Sequence, residues 1–443
     1  MVKMIPYVRG LPIIGTSLSI LAAGSSPKLH LYIDRKHKKL GPIFKENMGT
    51  VCGIFLADPW AARTIFSAEG RYPKHIVPEP WKVYNKLYNC NRGLFFMDGE
   101  EWLKYRQIMN KFMLKRNLPD KQVQEFVINS FMESMENFVG KEMYNIEQKF
   151  YQLSISFIVG TLVGTAIMDK MECIKKDIDS LALVVNSIFS TTTNLMNIPM
   201  SLATSLNMKI WEEFIKSAEY SLMAGRVLLE KIKGFPLSDG LLKDLLEEDL
   251  DDDIITGLVM DLILAAGDTS AYTSQWALYL LSREPEVADQ VRSNNQLVTG
   301  VIKEALRLYP AAIFISRYLD RDVILPTLDC QLSKGELVML SLYTIGRLES
   351  AYTEPLKFLP ERWTRRGDNN SREYLGVKEP KAWLPFGVGA RSCIGRRLAE
   401  AQLHLTISKI ISQYRLHLVE PVDMELRMVP VPTKPIKIKV DRL

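Results

Sequence analysis

The segment Phe386-Gly387-Val388-Gly389-Ala390-Arg391-Ser392-Cys393-Ile394-Gly395 is a glycine-rich loop that delivers one cysteine to the start of a helix. Glycines allow tight turns and the close approach of a flat ligand. The free N–H groups of a helix N-terminus hydrogen-bond a thiolate and lower its pKa. Arg391 can pair with an anionic group, and Phe386 supplies an aromatic neighbour. A thiolate held in this way suits axial ligation of haem iron by Cys393.

Three further groups have spacings that could serve such a centre. Ala265-Ala266-Gly267-Asp268-Thr269-Ser270 places an acid and an alcohol inside a long apolar segment, where each buried polar group needs a partner. Glu304 and Arg307 stand at i and i+3 with apolar flanks, share one helix face and can pair. Trp102 and Arg106 lie one helical turn apart. The other cysteines, Cys52, Cys90, Cys173 and Cys330, are scattered and form no CxxC pair. Neither a disulfide framework nor a zinc ribbon is indicated, and a reducing compartment fits.

The elements that must position these residues are mostly helical. Helical patterns dominate from about Glu101 to Leu308, with Asp98 and Gly99 before the first. The run Ile254–Ala266, broken by Asp261, belongs to a helix expected over Ile254–Arg283 and stopped by Pro285. It is apolar on nearly every face, so it should cross the core. The acidic run Glu247–Asp253 reads as a solvated loop whose last members suit that helix's N-terminus. A last helix begins near Ile394, with Ile394, Leu398, Ala401 and Leu405 as its core stripe.

Strand character is confined to Ile43–Phe44, Val51–Leu56 after a turn at Gly49, Glu336–Leu340, and the alternation Ile436, Ile438, Val440. Thr364–Ala382 is polar and irregular, a loop. The fold class is therefore mainly α with minor β. The 56 basic and 51 acidic residues leave a net charge of +5, too small an excess to suggest nucleic acid. The N-terminal apolar stretch Leu11–Ala23 carries Pro12 and Gly15. It is shorter than the roughly 20 residues of a membrane span. An Arg-rich, acid-poor presequence of normal length is not evident; either none exists or the numbering begins after it.

The pattern F-x-x-G-x-R-x-C-x-G resembles the haem-binding signature of the cytochrome P450 family at every specified position. Glu304-Ala305-Leu306-Arg307 resembles that family's E-x-x-R, and Trp102 to Arg106 its W-x-x-x-R. The resemblance implies one cytochrome P450 domain over residues 1–443, with small peripheral sheets and a haem-thiolate loop at 386–395. It implies that Arg362, in Pro360-Glu361-Arg362-Trp363, joins Glu304 and Arg307 in a structural triad. It also implies that Trp102, Arg106, Arg317 and Arg391 serve the haem propionates, with Phe386 and Gly395 completing the cofactor loop. Arg317 reads equally as an ordinary surface arginine. Asp268 and Thr269 resemble the acid–alcohol pair that relays protons when dioxygen is cleaved. Ala266 stands where the family usually has glycine.

Oxygen activation needs two external electrons, and no flavin or nicotinamide fingerprint is present. Cys393 to Glu400, read as C-x-G-R-R-x-A-E, resembles the mitochondrial branch, whose donor is a small adrenodoxin-like ferredoxin. Lys303, Arg396 and Arg397 are its expected docking residues; a second lysine used by related enzymes is replaced by Thr299. Leu40-Gly41-Pro42-Ile43-Phe44 and Glu79-Pro80-Trp81 resemble segments of mitochondrial steroid hydroxylases. Leu340 to Arg347 and Leu426 to Pro432 resemble those of insect ecdysteroid 2-hydroxylases.

These resemblances imply a steroid hydroxylase on the matrix side of the mitochondrial inner membrane, oxidising an ecdysteroid precursor at carbon 2. Another steroid or a secosteroid is the alternative substrate. A non-catalytic haem-based steroid or gas sensor is the alternative function. Trp81, Phe96, Ala311, Ile313 and Phe314 match pocket-lining segments, and each reads equally as ordinary core. The Met- and Leu-rich stretch Leu195–Met208 is either a peripheral membrane contact or a loop packed on its own domain.

Overall fold

The computed structural model describes residues 3–443 except Ile13, Thr50, Asn91, 115–118, Tyr144, Asn197 and 368–372. The last five belong to the expected Thr364–Ala382 loop, and Asn197 to the expected membrane-contact stretch. The chain divides into two compact units. One comprises Met1–Ile76, Gln296–Cys393 and Met424–Val431; the other comprises Val77–Asn295, Ile394–Asp423 and Pro432–Leu443.

The first unit is built on a sheet. Its strands, in spatial order, are Tyr7–Val8, Ile43–Met48, Val51–Leu56, Leu337–Ser341 and Phe314–Tyr318. Ile43–Met48 and Val51–Leu56 form an antiparallel hairpin, with Gly49 at φ +60° in the turn, a left-handed conformation that favours glycine. Leu337–Ser341 pairs parallel to Val51–Leu56 and antiparallel to Phe314–Tyr318, which sets Arg317 opposite Val338.

Strand alternation gives the sheet two apolar faces. Ile54, Leu56, Val338 and Leu340 pack with Ala61, Ala62 and Ile65 of the helix Pro59–Ala68. Phe44, Phe55, Leu337 and Met339 pack with Tyr32 and Ile33 of the helix Leu29–Leu40. Pro59–Ala68 starts with proline in its first turn, and the Asp58 side chain accepts the Ala61 N–H at 2.7 Å, a favourable N-terminal combination.

The second unit is helical. Its central helix spans Asp252–Arg283, with Asp252 and Asp253 in its first turn. It stops where Glu284 precedes Pro285, because the residue before proline is disfavoured in helical geometry. By length and composition Ile146–Leu195 and Asp252–Arg283 could each cross a membrane. Their most apolar windows are 78% and 67% buried within the protein, which makes both of them core.

Several expected boundaries shift. Lys141–Met143 is a short strand inside the interval read as helical; three residues carry too little alternation to reveal it. The last helix spans Arg396–Gln413 and buries Leu398, Gln402, Leu403, Thr406, Ile407, Ile410 and Ile411. Ala401 and Leu405 are only half-buried, so the expected stripe is corrected. The face is displaced because two polar residues turn inward, Gln402 donating to Ser154 Oγ at 2.9 Å. The final strand is Ile438–Arg442, antiparallel to Tyr414–Leu418. Leu195–Met208 contains a short helix, Met200–Ser205.

Candidate active site

In the first unit Cys393 is exposed at the end of its loop. Its N–H donates to the Phe386 carbonyl at 2.8 Å, and Gly387 and Gly389 take φ of +65° and +86°. A carboxylate missed by the sequence reading braces the loop. Glu69 Oε1 accepts the Ala390 N–H at 2.7 Å, and its Oε2 accepts from Arg317 Nε at 2.5 Å. A Cβ at Gly389 would lie 2.0 Å from Glu69 Oε1, so the brace needs glycine there. Glu69 stands alone just after a helix, which gives no sequence signal.

Arg317 is 4% exposed, which rules out the surface-arginine reading. Its Nη1 donates to the Ser316 carbonyl at 2.9 Å. Its Nη2 has no hydrogen-bond partner among the described residues. Arg391 Nε donates to the Pro73 carbonyl at 2.5 Å. Phe314 meets Phe55 edge-on at 5.9 Å, Ile313 is 2% exposed, and Ala311 is half-buried.

The structure brings Glu304, Arg307 and Arg362 together in the same unit, with side chains 0%, 0% and 1% exposed. Arg307 donates Nε and Nη2 to the two oxygens of Glu304, both at 2.7 Å, and Arg362 Nε lies 3.1 Å from Oε1. Leu359 N–H and the Trp363 indole each add a bond to Glu304 at 3.0 Å. The outer guanidinium nitrogens hold main chain: Arg307 takes the Gly346, Pro355 and Lys357 carbonyls. Arg362 takes those of Thr353, Gly376, Glu354 and Lys357. The triad thereby ties down Gly346, residues 353–357 and Gly376.

Lys303 is half-buried, and its ammonium lies 5.0, 5.3 and 5.8 Å from the rings of Trp363, Tyr374 and Trp383.

The second unit holds Trp102, Arg106, Thr269, Asp268, Trp81, Phe96, Gly395, Arg396 and Arg397. Trp102 and Arg106 sit on the helix Gly99–Met113, Trp102 buried and Arg106 half-buried. Gly395 is the N-terminal cap of Arg396–Gln413. Arg396 pairs with Glu400 at 3.0 Å, and Arg397 donates to the Leu114 carbonyl at 2.6 Å.

On the central helix, Asp261, Leu262, Ala265, Ala266 and Thr269 keep accessible surface, while residues 270–280 are all buried. Positions i, i+1, i+4, i+5 and i+8 cover an arc of about 140°. One face is therefore open over two turns, and Thr269 lies on it. Its hydroxyl donates to the Ala265 carbonyl at 2.8 Å, leaving its lone pairs to accept from water.

Asp268 is 1% exposed on the adjoining buried side, where Tyr151 donates to its Oδ1. Its Oδ2 has no partner among the described residues. Burial pushes the Asp268 carboxyl up to about 7, against a smaller lowering by the Tyr151 hydrogen bond. Glu147 extends this network, accepting from Tyr272 at 2.7 Å and from Asn186 at 2.6 Å. No hydrogen bond joins Asp268 to Thr269 among the described residues.

The exposed thiol of Cys393 fits a haem group. Among the described residues no set of three or more His, Cys, Asp or Glu could hold a metal ion. A macrocycle brings iron with most of its ligands and needs one exposed thiol from the protein.

The cytochrome P450 family model matches residues 5–440. The mitochondrial cytochrome P450 315a1 of Drosophila melanogaster is 36% identical, covering 98% of this chain and 88% of that protein. The mitochondrial 1,25-dihydroxyvitamin D(3) 24-hydroxylase of Mus musculus is 28% identical over 99% of this chain and 88% of its own. The mitochondrial cholesterol side-chain cleavage enzyme of Hypanus americanus is 29% identical over 90% and 83%. In fold, the chain is similar to the retinoic acid-bound cyanobacterial CYP120A1, with a TM-score of 0.78, 19% identity and full coverage of both chains. With its haem cofactor and its mitochondrial location, this chain belongs to the cytochrome P450 family of monooxygenases.

Proposed function

We propose that this single-domain P450 hydroxylates a steroid, an ecdysteroid precursor at carbon 2, with electrons from an adrenodoxin-like ferredoxin. The observation that carries this reading is the 36% identity over 98% of the chain to an insect mitochondrial P450, against 28–29% to the vertebrate enzymes. The segments Leu340–Arg347 and Leu426–Pro432 support the same branch. Bound haem supplies the activation of dioxygen. Cys393 is the residue to ligate it, and Arg106, Arg317 and Arg391, with Trp102, are the residues to hold its propionates.

The chain's own part is proton handling and positioning. Thr269 holds a water on the open face of the central helix. Asp268, with a carboxyl near 7, exchanges protons at neutral pH, where general acid–base groups work best. Tyr151 orients that carboxyl. Specificity follows from fixing one carbon in place, a positioning effect. Exposed Met196, Leu202 and Leu206, around the short helix Met200–Ser205, support peripheral contact with the inner membrane.

Ferredoxin docks on the side of Arg396 and Arg397 in this reading. Lys303, held over three rings, contributes charge rather than a mobile contact.

The test is reconstituted turnover with ferredoxin, its reductase and NADPH on ecdysteroid precursors, vertebrate sterols and secosteroids, with products identified by mass spectrometry and NMR. A single new hydroxyl at carbon 2 is the expected product. Oxidation of a different steroid or a secosteroid overturns the substrate and keeps the reaction.

A further inference from the structure

Asp261 and Arg92 form a second buried polar centre, distinct from the proton pair. Arg92 Nε and Nη2 both donate to Asp261 Oδ1, at 3.0 and 2.8 Å, with side chains 5% and 12% exposed. The other half of each group is unused: Arg92 Nη1 and Asp261 Oδ2 are buried and have no hydrogen-bond partner among the described residues. A buried charged pair repays its desolvation only when its remaining hydrogen-bonding capacity is met.

The surroundings are aromatic on one side and the accessible face of the central helix on the other. The Arg92 guanidinium lies 4.5 Å from the Trp81 ring and 4.7 Å from Phe96, and the two rings are 5.8 Å apart. Trp81 also meets Phe214 edge-on at 5.3 Å. Asp261 opens the accessible stripe that ends at Thr269, eight residues later and about 12 Å along the axis. A Cβ at Gly93 would lie 2.7 Å from the Gly257 carbonyl and 3.0 Å from the Asp261 carboxyl. Glycine there lets the loop carrying Arg92 close directly onto the central helix.

We infer that Arg92 and Asp261 are specificity-determining residues that anchor a hydroxyl group of the substrate, at the far end of the stripe from Thr269. This deepens the steroid reading above and rests on it. A hydroxyl both gives and accepts a hydrogen bond, so it can serve Asp261 Oδ2 or Arg92 Nη1. A ketone serves only the arginine, and a hydrogen leaves both unmet. Sites built around buried polar groups reject analogues that lack the matching group. The anchor therefore ranks ligands hydroxyl over ketone over hydrogen. Aromatic walls at Trp81 and Phe96 carry the apolar skeleton, and the pair fixes its direction along the helix.

The test titrates the holoenzyme with a cholesterol-derived series in which one group is hydroxyl, ketone or hydrogen, placed in turn on ring A, ring B and the side chain. Binding is read from the haem absorption difference spectrum. At one position the hydroxyl should bind about ten- to a hundred-fold tighter than hydrogen, with ketone between, the range of a hydrogen bond to a charged group. In Asp261→Asn that preference should fall to within about three-fold. The apolar pair Arg92→Met with Asp261→Leu, which leaves no unpaired charge, should abolish it.

A wild-type preference that survives both changes overturns the inference. So does a wild-type series with no hydroxyl preference at any position, because water then satisfies both groups. If neither variant folds, the wild-type ranking alone decides. A holoenzyme that responds to no sterol at all sinks the steroid reading itself, whereas binding of every sterol with equal affinity sinks only the anchor.

Discussion

Glu304 and two acids of the central helix, Asp261 and Asp268, are polar groups in the interior that have been treated in opposite ways. Glu304 receives two bonds from Arg307, one each from Trp363 and the Leu359 N–H, and the guanidinium of Arg362. The outer nitrogens of both arginines end on main-chain carbonyls. Asp261 and Asp268 each keep one buried oxygen without a partner among the described residues. A saturated charge fixes backbone and has no capacity left for a visitor. An unsaturated one costs stability, and its presence is explained by something that comes to meet it, a substrate group at Asp261 and a proton at Asp268.

The saturated side of this contrast breaks most dramatically. Arg307→Ala takes from buried Glu304 the partner that bonds both its oxygens and frees the Gly346 and Pro355 carbonyls. Removing one partner of a buried pair costs about 3–5 kcal/mol, a large part of typical domain stability. Denaturant unfolding should show that loss, and the purified protein should retain less haem because Gly346 and Pro355 lose their tie. A variant of normal stability would mean that the triad is ornamental.

The open side responds in function instead. Thr269→Ala leaves the helix intact, since its hydroxyl bonds only within its own helix. Product formed per NADPH consumed should fall about a hundred-fold, the low end of general acid–base contributions. Melting should change little. Unchanged coupling would remove Thr269 from proton delivery.

The same contrast explains what could be read in the sequence. The saturated centre was legible because its members sit at fixed local spacings, Glu304 with Arg307 on one helix turn and Arg362 beside Trp363. The central helix was legible to within two residues, because apolar residues on every face mark a core helix. Glu69, Tyr151 and Arg92 were not legible as partners. Each meets its carboxylate or guanidinium across a long sequence separation, and pairing of that kind is set by packing. Asp261 was visible as an acid interrupting an apolar run, but the run alone could not show whether that acid was paired. The last helix misled for the opposite reason: Gln402 and Thr406 look like surface residues and are buried.

Tyr151 tests the comparison at its finest. Burial raises the Asp268 carboxyl from its ordinary 3.8 to about 7, and the Tyr151 hydrogen bond pulls it back down. Burial first, and then the charge of Asp268, push the Tyr151 phenol far above its ordinary value, so it remains a neutral donor. A carboxyl raised in the folded state gives stability that is full below about pH 4 and is lost as pH rises through about 7. The slope is about 1.4 kcal/mol per pH unit. Relative to wild type, Asp268→Asn should remove that slope. Tyr151→Phe deletes the lowering contribution and keeps the burial, so the upper edge of the window should move up. Denaturation midpoints of the three proteins across pH 4–9 measure this. An edge that stays in place or moves down means the hydroxyl does not bond the ionised carboxylate, and Tyr151 then merely fills space beside Asp268.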